Sequence, residues 1–567
     1  MTIDVVRRVV STVVPALIAS GVDPVLARLY AARGVDSPQQ IECGLARLPG
    51  FATMLNIDAA ARRLAAAIAA QEKILVVADY DADGATACAV AVRGLRGLGA
   101  NVDFLVPNRF EYGYGLTPEI VELARAKAPR VLVTVDNGIA SVEGVSAAVA
   151  LGIDVIVTDH HLAGDRLPAP AIIVNPNQPG CPFPTKHVAG VGVMFYVLAA
   201  TRHHMRETGV LTGDTPKLAA LLDLVALGTV ADVVRLDHAN RILVEQGLRR
   251  IRAGMACAGV LALFRVAGRD PAFATASDLG FMAGPRLNAA GRLADMSIGI
   301  RCLITDDAGE AQALAIELDR LNRERRQVEA AMQEEALQGL DADAVASGAA
   351  ADGYTLCLFR ENWHQGVVGI VASRLKDRFH RPAIVFARGQ GRQLKGSGRS
   401  INGFHLRDAL DLVSKREPGL IERFGGHAFA AGLTIDEAAL PRFTAAFERT
   451  AREALAPADL ARVIETDGAL ARGELCLSLA ERLHGQVWGQ GFPAPAFDDE
   501  FDVLSSRVVG DAHTRMLLGQ GDERFGAMLF RSVVTLPRRI HAVFRPEVDR
   551  FNGTASLSLV IAHWAPR

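Results

Sequence analysis

The chain has 567 residues, half of them apolar and 22% charged, which predicts a globular protein of about three or four domains. A net charge of −2 gives no overall signature of a polyanion-binding protein, although charge can still be concentrated locally. The seven cysteines are scattered without a CxxC pair, which excludes a disulfide framework and a thiolate zinc site. The N-terminal sequence is unlike a signal peptide, and no apolar run reaches the ~18 residues of a membrane span. We therefore expect a cytoplasmic protein.

The first half of the chain predicts an α/β domain. Residues 1–50 are predicted to be a helical N-terminal segment interrupted by prolines, and 58–70 a further helix. Apolar strand-like runs then alternate with helix-forming runs. The predicted strands are KILVVADY (73–80), NVDFLVPN (101–108), RVLVTVDNG (130–138) and DVIVTDHH (154–161). This spacing indicates a parallel sheet with helices on both faces, which we assign to residues 51–305.

Acidic residues and histidines follow the apolar runs. The first strand is followed by Asp79, Asp81 and Asp83. A later strand ends in Asp136, and the next in Asp159, His160 and His161. A fourth candidate segment is the apolar stretch LVALGTVADVV (224–234), which contains Asp232. Ligands of parallel sheets bind outside the carboxyl ends of the strands, so we expect these side chains to converge on one edge.

Converging carboxylates are tolerated when a divalent cation neutralises them. A ligand set of oxygen and imidazole without thiolate suits Mn²⁺ or Mg²⁺ better than zinc or copper. Two such ions about 4 Å apart, bridged by one carboxylate, form a clamp for in-line phosphoryl displacement. The residues therefore favour a two-metal centre for phosphoryl chemistry.

Other interpretations of the single motifs remain open. DYDADG matches the start of an EF-hand calcium loop, but position 90, where the loop needs Glu, is Val. A strand rather than a helix also precedes it. Asp232 taken alone is more typical of a cap or turn residue, and three letters such as DHH are a weak motif.

A long helix and a basic segment are predicted in the second half. Residues 306–345 lack proline and carry apolar residues at helical spacing, which predicts a connecting helix. We assign 346–455 to a second domain. Residues 374–407 contain nine basic residues and one acidic residue, Asp377. The basic residues are Arg374, Lys376, Arg378, Arg381, Arg388, Arg392, Lys395, Arg399 and Arg407. A solvated basic face is one interpretation, but the glycines of GQGRQLKGSGRS favour contact with a phosphate chain.

The last hundred residues predict an all-β domain. Five short strand-like runs are separated by turn residues, and we expect an OB-fold barrel over residues 456–567. Such folds stack the bases of single strands on aromatic side chains. Phe525, Phe530 and Phe544 are candidates for stacking, although each is equally typical of a barrel core.

Several ordered motifs resemble the DHH phosphoesterase superfamily, and among its members most closely the bacterial single-strand-specific 5′→3′ exonucleases. In the first half the motifs are DYDADGATA, VDNG, TDHH, ALGTVADVV, PNRFEYGYGL (107–116), HVAGVGVMFYVL (187–198) and GPRLNAAGRL (284–293). In the second half they are NWHQGVVGIVASRL (362–375), GSGRS (396–400) and FGGHAFAAGL (424–433), which resemble the DHH-associated domain. The resemblance covers residues 50–435. It implies a two-metal nuclease with a parallel-sheet DHH domain and a second α/β DHH-associated domain, which join the long connecting helix and the OB-like barrel predicted above.

The resemblance also implies roles for individual residues. The implied metal ligands are Asp81, Asp83, Asp136 as the bridge, His160 and Asp232, with Asp79 and His161 at the same site as ligand, orienting group or proton handler. Some members of the superfamily have a histidine where this chain has Val77, so one ion is expected to use a different ligand set that includes Asp79. The expected catalytic residues are His161, Asp136 and Asp79. The expected substrate-binding residues are Arg109, Tyr114, Arg286, Arg292, Trp363, His364, Ser373, Arg374, Ser397, Arg399, Gly426 and His427.

We expect a metal-dependent exonuclease that hydrolyses single-stranded DNA from the 5′ end to mononucleotides in recombination and repair. One alternative is a DHH phosphodiesterase of short oligonucleotides or cyclic dinucleotides, which would need neither the basic segment nor the barrel. Another is an inactive nucleic-acid-binding scaffold, against which the intact ligand set argues. The expected partners are single-stranded DNA, two Mn²⁺ or Mg²⁺ ions and, as protein candidates, a single-strand-binding protein and a helicase. We expect a monomer.

Overall fold

The structure is a computed structural model, and it describes residues 3–112, 115–213, 217–347, 353–550 and 553–567. The chain clusters into two compact units. The first comprises residues 7–319 and 465–567, and the second comprises residues 320–464 with the N-terminal residues up to Val6. The C-terminal residues therefore group with the first half of the chain.

The sequence predicted a helical N-terminal segment, but the structure shows that the segment is only partly helical. It begins with strand β1 (Ile3–Arg7), which pairs with residues 462–466 in a two-stranded sheet. Three of the five residues of β1 are β-branched, which favours the extended conformation. Helices α1 (Val14–Ala19) and α2 (Pro24–Ala31) follow.

A five-stranded parallel sheet forms the core of the first unit. Its elements in chain order are α3 (Ile57–Ala69), β2 (Ile74–Ala78), α4 (Ala82–Gly97), β3 (Val102–Leu105), α5 (Arg109–Tyr112), α6 (Pro118–Arg125), β4 (Val131–Val135), α7 (Val142–Ala150), β5 (Asp154–Thr158), β6 (Ile172–Val174) and α8 (Gly190–Glu207). The strand order is β3-β2-β4-β5-β6, and all neighbouring pairs are parallel. Strands β2 and β4 are buried over their whole length, which explains their uninterrupted apolar sequences. The predicted parallel-sheet domain is confirmed.

Helices complete this part of the unit. They are α9 (Leu222–Ala231), α10 (His238–Arg252), α11 (Ala258–Val266), α12 (Ala276–Asp278), α13 (Gly284–Leu293) and α14 (Ser297–Ile304), with a π-helical turn at Leu279–Ala283. The apolar stretch before Asp232 is therefore helix α9 rather than a further strand. The helix is apolar on nearly all sides and buried, and periodicity alone does not separate such a run from a buried strand.

The predicted connecting helix is present as α15 (Ala308–Ser347), 40 residues long. Charged residues recur along it. Within the ranges that the structure describes, no helix combines the length and the apolar character needed to cross a membrane.

The second unit contains a mixed sheet in the order β10-β11-β9-β8-β7. Its elements are β7 (Leu356–Phe359), α16 (Val368–Phe379), β8 (Ala383–Arg388), β9 (Gln393–Arg399), α17 (Leu406–Arg416), β10 (Arg423–Gly426), β11 (Ala430–Asp436), α18 (Leu440–Ala454) and β12 (Arg462–Thr466), the partner of β1. Strands β7 and β8 are parallel, and the others pair antiparallel. Apolar side chains of β8, β9, β11, α17 and α18 form one core of this unit.

The C-terminal residues form helix α19 (Leu477–His484) and a closed five-stranded barrel. The barrel strands are β13 (Phe497–Val509), β14 (His513–Gln520), β15 (Glu523–Leu529), β16 (Arg539–Asp549) and β17 (Ser556–Pro566). They close in the order β13-β14-β15-β17-β16, and only the β15–β17 pair is parallel. This is a Greek-key barrel of the OB type, which confirms the predicted fold. Phe525 and Phe544 lie in its core, whereas Phe530 is 54% exposed.

Candidate metal centre

The centre lies at the carboxyl ends of the parallel strands. Strand β2 has β3 on one side and β4 on the other, so the ends of β2 and β4 form the topological switch point of the sheet. In register, Ala78 pairs with Val135, and Val135 pairs with Thr158. The residues that follow these three positions therefore meet at one edge, and they are Asp79, Asp136 and Asp159.

The loop after β2 brings Asp81 and Asp83 to the same edge. Asp81 caps helix α4, where its Oδ1 accepts a hydrogen bond from the N–H of Gly84 at 3.0 Å. Asp83 is buried, and its two oxygens accept hydrogen bonds from the N–H groups of Gly190 and Val191 at 2.6 and 2.9 Å. These donors belong to the first turn of α8, where the helix dipole favours negative charge. The fold thus holds a buried carboxylate in place with backbone N–H groups, and no lysine or arginine of the described residues forms an ion pair with it.

Two glycines allow helices to approach this edge. A Cβ on Gly190 would lie 2.6 Å from the Cβ of Asp136, and one on Gly84 would lie 2.6 Å from the carbonyl oxygen of Asp79. Any larger residue would push α8 or α4 away from the strand ends. Asp136 itself has a φ of 61°, in the left-handed region that Asp tolerates better than most residues.

His160 lies among three carboxylates. Its Nε2 is 3.1 Å from Oδ1 of Asp136 and 3.4 Å from Oδ2 of Asp232. Oδ2 of Asp83 is 4.0 Å away. Ligand atoms bound at about 2.0–2.3 Å from one shared cation lie at separations of this size.

Asp159 faces the histidines rather than the other carboxylates. Its Oδ1 is 2.8 Å from Nδ1 of His161 and accepts hydrogen bonds from the N–H groups of His160 and His161 at 2.7 and 3.0 Å. Its Oδ2 accepts one from the N–H of Ile139 at 2.9 Å. Asp159 therefore fixes the His161 ring and the backbone that carries both histidines.

Asp232 reaches the centre from a helix end. It is the C-cap residue of α9, where the helix dipole disfavours negative charge. Its Oδ2 is buried and accepts no hydrogen bond from the residues that the structure describes. A positive ion bound at the centre would stabilise a carboxylate in this position.

The pKa values show how strongly the carboxylates interact. Burial and the charge of Asp81 raise the pKa of Asp83 to about 7. Burial and the charge of Asp83 raise the pKa values of Asp136 and Asp232 well above their ordinary range. Burial is the largest single influence on His161 and lowers its pKa, but the hydrogen bond to Asp159 and the charges of Asp159, Asp79 and Asp81 together outweigh burial and raise the pKa to about 9. The centre therefore gathers more negative charge than its own groups neutralise.

The donor set fits divalent cations. The ligand atoms form compact groups within 4.8 Å: Asp83 with His160 and Asp232, Asp79 with Asp81 and Asp136, and Asp136 with both histidines. Asp136 belongs to two groups, which suits a bridging carboxylate. The donors are carboxylate oxygens and imidazoles, as Mn²⁺ and Mg²⁺ prefer. An EF-hand is excluded, because the loop joins a strand to a helix.

Three asparagines that the sequence analysis did not single out also support the centre. Nδ2 of Asn175 donates to the carbonyl of His161 at 2.9 Å, and Nδ2 of Asn177 donates to that of His160 at 2.5 Å. Oδ1 of Asn288 accepts from the N–H of Ala82 at 2.9 Å. The two asparagines of NPN directly after β6 were a detectable signal, since amides often fix loops at strand ends.

The predicted substrate-binding residue Arg286 lies in an ion pair of the first unit. Arg286 is 8% exposed, and its Nε and Nη2 lie 3.0 and 2.8 Å from Oδ1 of Asp319. The substrate-binding role of Arg286 stays a prediction, and Asp319 holds its guanidinium in a fixed orientation. Arg292 is half-buried on α13. Arg109 and Tyr114 lie outside the residues whose side chains the structure describes.

Trp363 is part of a core in the second unit. It is 4% exposed, packs with Met332 and Val371, and donates from Nε1 to Glu335 at 2.8 Å. The Trp363 ring therefore lies in a core rather than at a surface that a base could reach, and its predicted substrate-binding role is not supported by this position. His364 is exposed, and its Nδ1 accepts a hydrogen bond from the N–H of Gly366 at 3.1 Å.

The basic segment is partly neutralised by acids from elsewhere in the sequence. Nε of Arg374 lies 2.9 Å from Glu329, both terminal nitrogens of Arg388 lie 2.8 Å from Glu437, and Arg392 lies 3.8 Å from Asp436. Ser373, next to Arg374, is half-buried. The charge of the segment is therefore lower than its own residues suggest.

Arg399 differs from these arginines. It donates to Oγ of Ser397 at 3.1 Å and to the carbonyl of Gly398 at 2.8 Å, and no carboxylate within the described ranges pairs with it. Burial lowers its pKa. Nearby, Gly426 has a φ of 144°, and His427 is exposed. Arg399 thus has the character of an anion-binding residue.

The sheet with its carboxylate and histidine edge defines a DHH-type protein. The chain matches the DHH family N-terminal domain over residues 73–229, the DHHA1 domain over 352–453 and the RecJ OB domain over 466–563. It is 46% identical over 550 residues to the single-stranded-DNA-specific exonuclease RecJ of Escherichia coli, covering 95% of both chains. It is 38% identical to RecJ of Bacillus subtilis over 95% of this chain and 68% of that one. The chain belongs to the RecJ family.

A solved structure agrees with this assignment. RecJ of Thermus thermophilus in complex with Mn²⁺ is similar over 100% of this chain and 79% of that chain, with a TM-score of 0.82 and 31% identity. A complex of the same protein with Mg²⁺ has a TM-score of 0.77 and 29% identity.

Proposed function

We propose that the protein is a metal-dependent exonuclease that hydrolyses single-stranded DNA in the 5′→3′ direction to mononucleotides, in recombination and repair. The observation that carries the proposal is the convergence of His160 with the carboxylates of Asp83, Asp136 and Asp232 within 4.0 Å. Family members that share 46% of their residues over 95% of the chain are single-stranded-DNA-specific exonucleases.

Two divalent cations, Mn²⁺ or Mg²⁺, are the proposed cofactors. Asp83, His160 and Asp232 would hold one, and Asp79, Asp81 and Asp136 the other, with Asp136 the group nearest to both sets. Bound there, the ions supply Lewis-acid activation of water and charge stabilisation at phosphorus. Asp79 would replace the ligand missing at Val77.

The protein's own groups position and protonate the substrate. His161 holds Nδ1 against Asp159, so Nε2 is the nitrogen that can act on a phosphate oxygen. With its raised pKa the imidazole carries a proton at neutral pH and suits donation of a hydrogen bond. We propose that Asp159 acts through His161 by fixing its ring.

The second unit and the barrel supply contacts to the strand. Arg399 and Ser397 at the end of β9, with Gly426 and His427 nearby, are the proposed phosphate contacts, since Arg399 has no carboxylate partner among the described residues. The match to the RecJ OB domain and the closed barrel favour this function over a small-substrate phosphodiesterase. The convergence of the carboxylate and histidine ligands argues against an inactive scaffold.

The proposal extends to the protein's surroundings. A single-strand-binding protein and a helicase are the proposed protein partners, and the protein is proposed to act as a monomer. A cytoplasmic location agrees with seven cysteines that form no disulfide.

Digestion of a DNA strand labelled at one end tests the function. With Mn²⁺, a 3′-labelled single strand should shorten stepwise while a 5′ label is released at once as mononucleotide. The same strand in a blunt duplex, or with chelator added, should persist. Equal attack on both forms, or activity unaffected by chelator, would refute the proposal.

A further inference from the structure

Two large apolar side chains are exposed at the end of helix α9 and on the π-helical turn that packs against it. Phe281 is 79% exposed and Val233 is 62% exposed. Val233 directly follows Asp232, and Phe281 lies on the π-helical turn between α12 and α13. Single exposed apolar side chains are ordinary at protein surfaces. Two of them on neighbouring segments next to a metal ligand indicate a binding surface.

Both residues adjoin the last turn of α9. The N–H of Val233 donates to the carbonyl of Val230 at 3.2 Å. A Cβ on Gly280, next to Phe281, would lie 3.2 Å from Cγ1 of the same Val230. Asp232 is the C-cap residue of α9, so Val233 directly follows a carboxylate of the centre, and the turn that carries Phe281 packs on Val230, two residues before that carboxylate. We call Phe281 and Val233 the apolar rim.

The backbone of the apolar rim is unusual at both positions. Val233 has a φ of 62°, and a β-branched residue in the left-handed region is strained. Such strain persists mainly where surrounding structure and function require it. π-helical turns are likewise frequent at functional sites.

The turn that carries Phe281 is fixed to the metal-binding loop. The helix that follows it, α13, holds the N–H of Ala82 through Oδ1 of Asn288 at 2.9 Å. It also packs so closely that a Cβ on Gly291 would lie 1.9 Å from the carbonyl oxygen of Tyr80. Phe281 is therefore held at a set position relative to the carboxylates.

We propose that Phe281, flanked by Val233, is a stacking platform for one nucleobase of the single-stranded substrate at the metal centre. The inference rests on the proposed function and names a residue that determines how the strand is held. Cations held by the carboxylates would attract phosphate but offer nothing to a base. An aromatic face holds any base, because every base has a π-face, so the strand can advance after each cut without regard to sequence. A protein partner on this rim would block the centre.

Binding is tested first, in a form that does not depend on catalysis. An Asp136→Asn background keeps the strand intact, and oligonucleotides carry the fluorescent base 2-aminopurine at successive positions from the 5′ end. We expect quenching by stacking at one position, lost in Phe281→Ala and restored in Phe281→Trp. Quenching that is identical with Phe281→Ala at every position would overturn the proposal.

The active enzyme provides the second test. Removing the base at the stacked position with an abasic nucleotide should raise the KM of the otherwise wild-type enzyme about 10-fold, the loss expected for one stacked base. Phe281→Ala should show the same rise on normal DNA and no further rise on abasic DNA, with kcat little changed. Additive effects of the two changes would contradict the proposal, because they would mean that Phe281 and the base do not interact.

Phe273→Ala is the matched control. Phe273 is also a partly exposed phenylalanine of this unit, but its ring is covered by the guanidinium of Arg550 at 4.1 Å. It should keep the wild-type quenching pattern and abasic response. An enzyme without metal-dependent nuclease activity would refute the proposed function alone, whereas the fluorescence experiment decides the stacking role.

Discussion

The metal centre and the basic segment of the second unit both concentrate charge of one sign, but the two regions differ in how that charge is compensated. In the basic segment, distant acids approach the arginines, as Glu437 approaches Arg388 at 2.8 Å. At the metal centre, the ion pairs of Asp83 and Asp232 among the described residues involve only His160. The protein thus neutralises one cluster with its own side chains and leaves the other to be neutralised from outside.

The difference teaches how a run of charge in a sequence should be weighed. A count along the chain treats both clusters alike, since it ignores partners brought in by the fold. Burial separates them: Asp83 and Asp136 are 1% exposed, and buried charge requires compensation. Uncompensated buried charge therefore marks the functional centre more reliably than local charge density does.

The largest effect is expected from removing Asp136, the carboxylate shared by the two ligand sets. We expect Asp136→Ala to lower hydrolysis to below about 1% of wild type without unfolding the protein, because it disturbs both cation sites. Single-turnover assays at saturating Mn²⁺ and a thermal melt measure the two effects. The matched control is Asp103→Asn, which removes a carboxylate paired with Lys127 at the surface and should keep full activity.

The basic segment is tested by comparing two of its arginines. Arg399→Ala should weaken single-strand binding about 10-fold and reduce the slope of log affinity against log salt by roughly one, as for one lost phosphate contact. Arg388→Ala should leave the slope unchanged, because Glu437 already neutralises that arginine. Affinity titrations at several salt concentrations measure both. Equal slopes for the two variants would show that pairing does not decide which arginines meet DNA.

A substitution at Trp363 tests whether this residue of the second unit contributes to stability rather than to strand binding. Trp363→Phe loses a hydrogen bond to Glu335 and some core volume, so it should lower the free energy of unfolding by about 1–2 kcal/mol. Its affinity for single strands should not change. Denaturant unfolding and a binding titration test this, and a loss of affinity at unchanged stability would instead support the predicted substrate-binding role of Trp363.

The smallest expected effect concerns the end of α9. Without metal, Asp232→Asn should stabilise the protein by about 0.5–1 kcal/mol, because it removes a negative charge from a helix C-terminus and from neighbouring carboxylates. With Mn²⁺, the variant should gain less stability than the wild type. Melting curves with chelator and with Mn²⁺ measure both. A destabilised metal-free variant would mean that Asp232 is compensated within the protein.

Much of the site could be predicted because parallel strands impose it. Asp79, Asp136 and Asp159 each follow a strand, and the register of the sheet sets them side by side whatever else the chain does. Five strand-like runs near the C-terminus likewise predicted the barrel, since turn residues separate them clearly.

The remaining features depend on partners far away in the sequence. Arg286 has the residue type of a phosphate clamp, but its ion pair with Asp319 is visible only in the structure. The strand-like stretch before Asp232 is a buried helix, because an apolar run of that length suits either structure. The orienting role of Asp159 became visible only with its bond to His161.

Diffraction at the manganese absorption edge from crystals grown with Mn²⁺ tests the central claim most directly. The account predicts two anomalous peaks at the carboxyl edge of the sheet, one beside Asp83, His160 and Asp232 and one beside Asp79 and Asp81, with Asp136 between them. It also predicts that Asp136→Ala crystals lose one or both peaks. Absence of manganese at this edge at millimolar concentration, or occupation of the site by a lysine or arginine side chain, would contradict it.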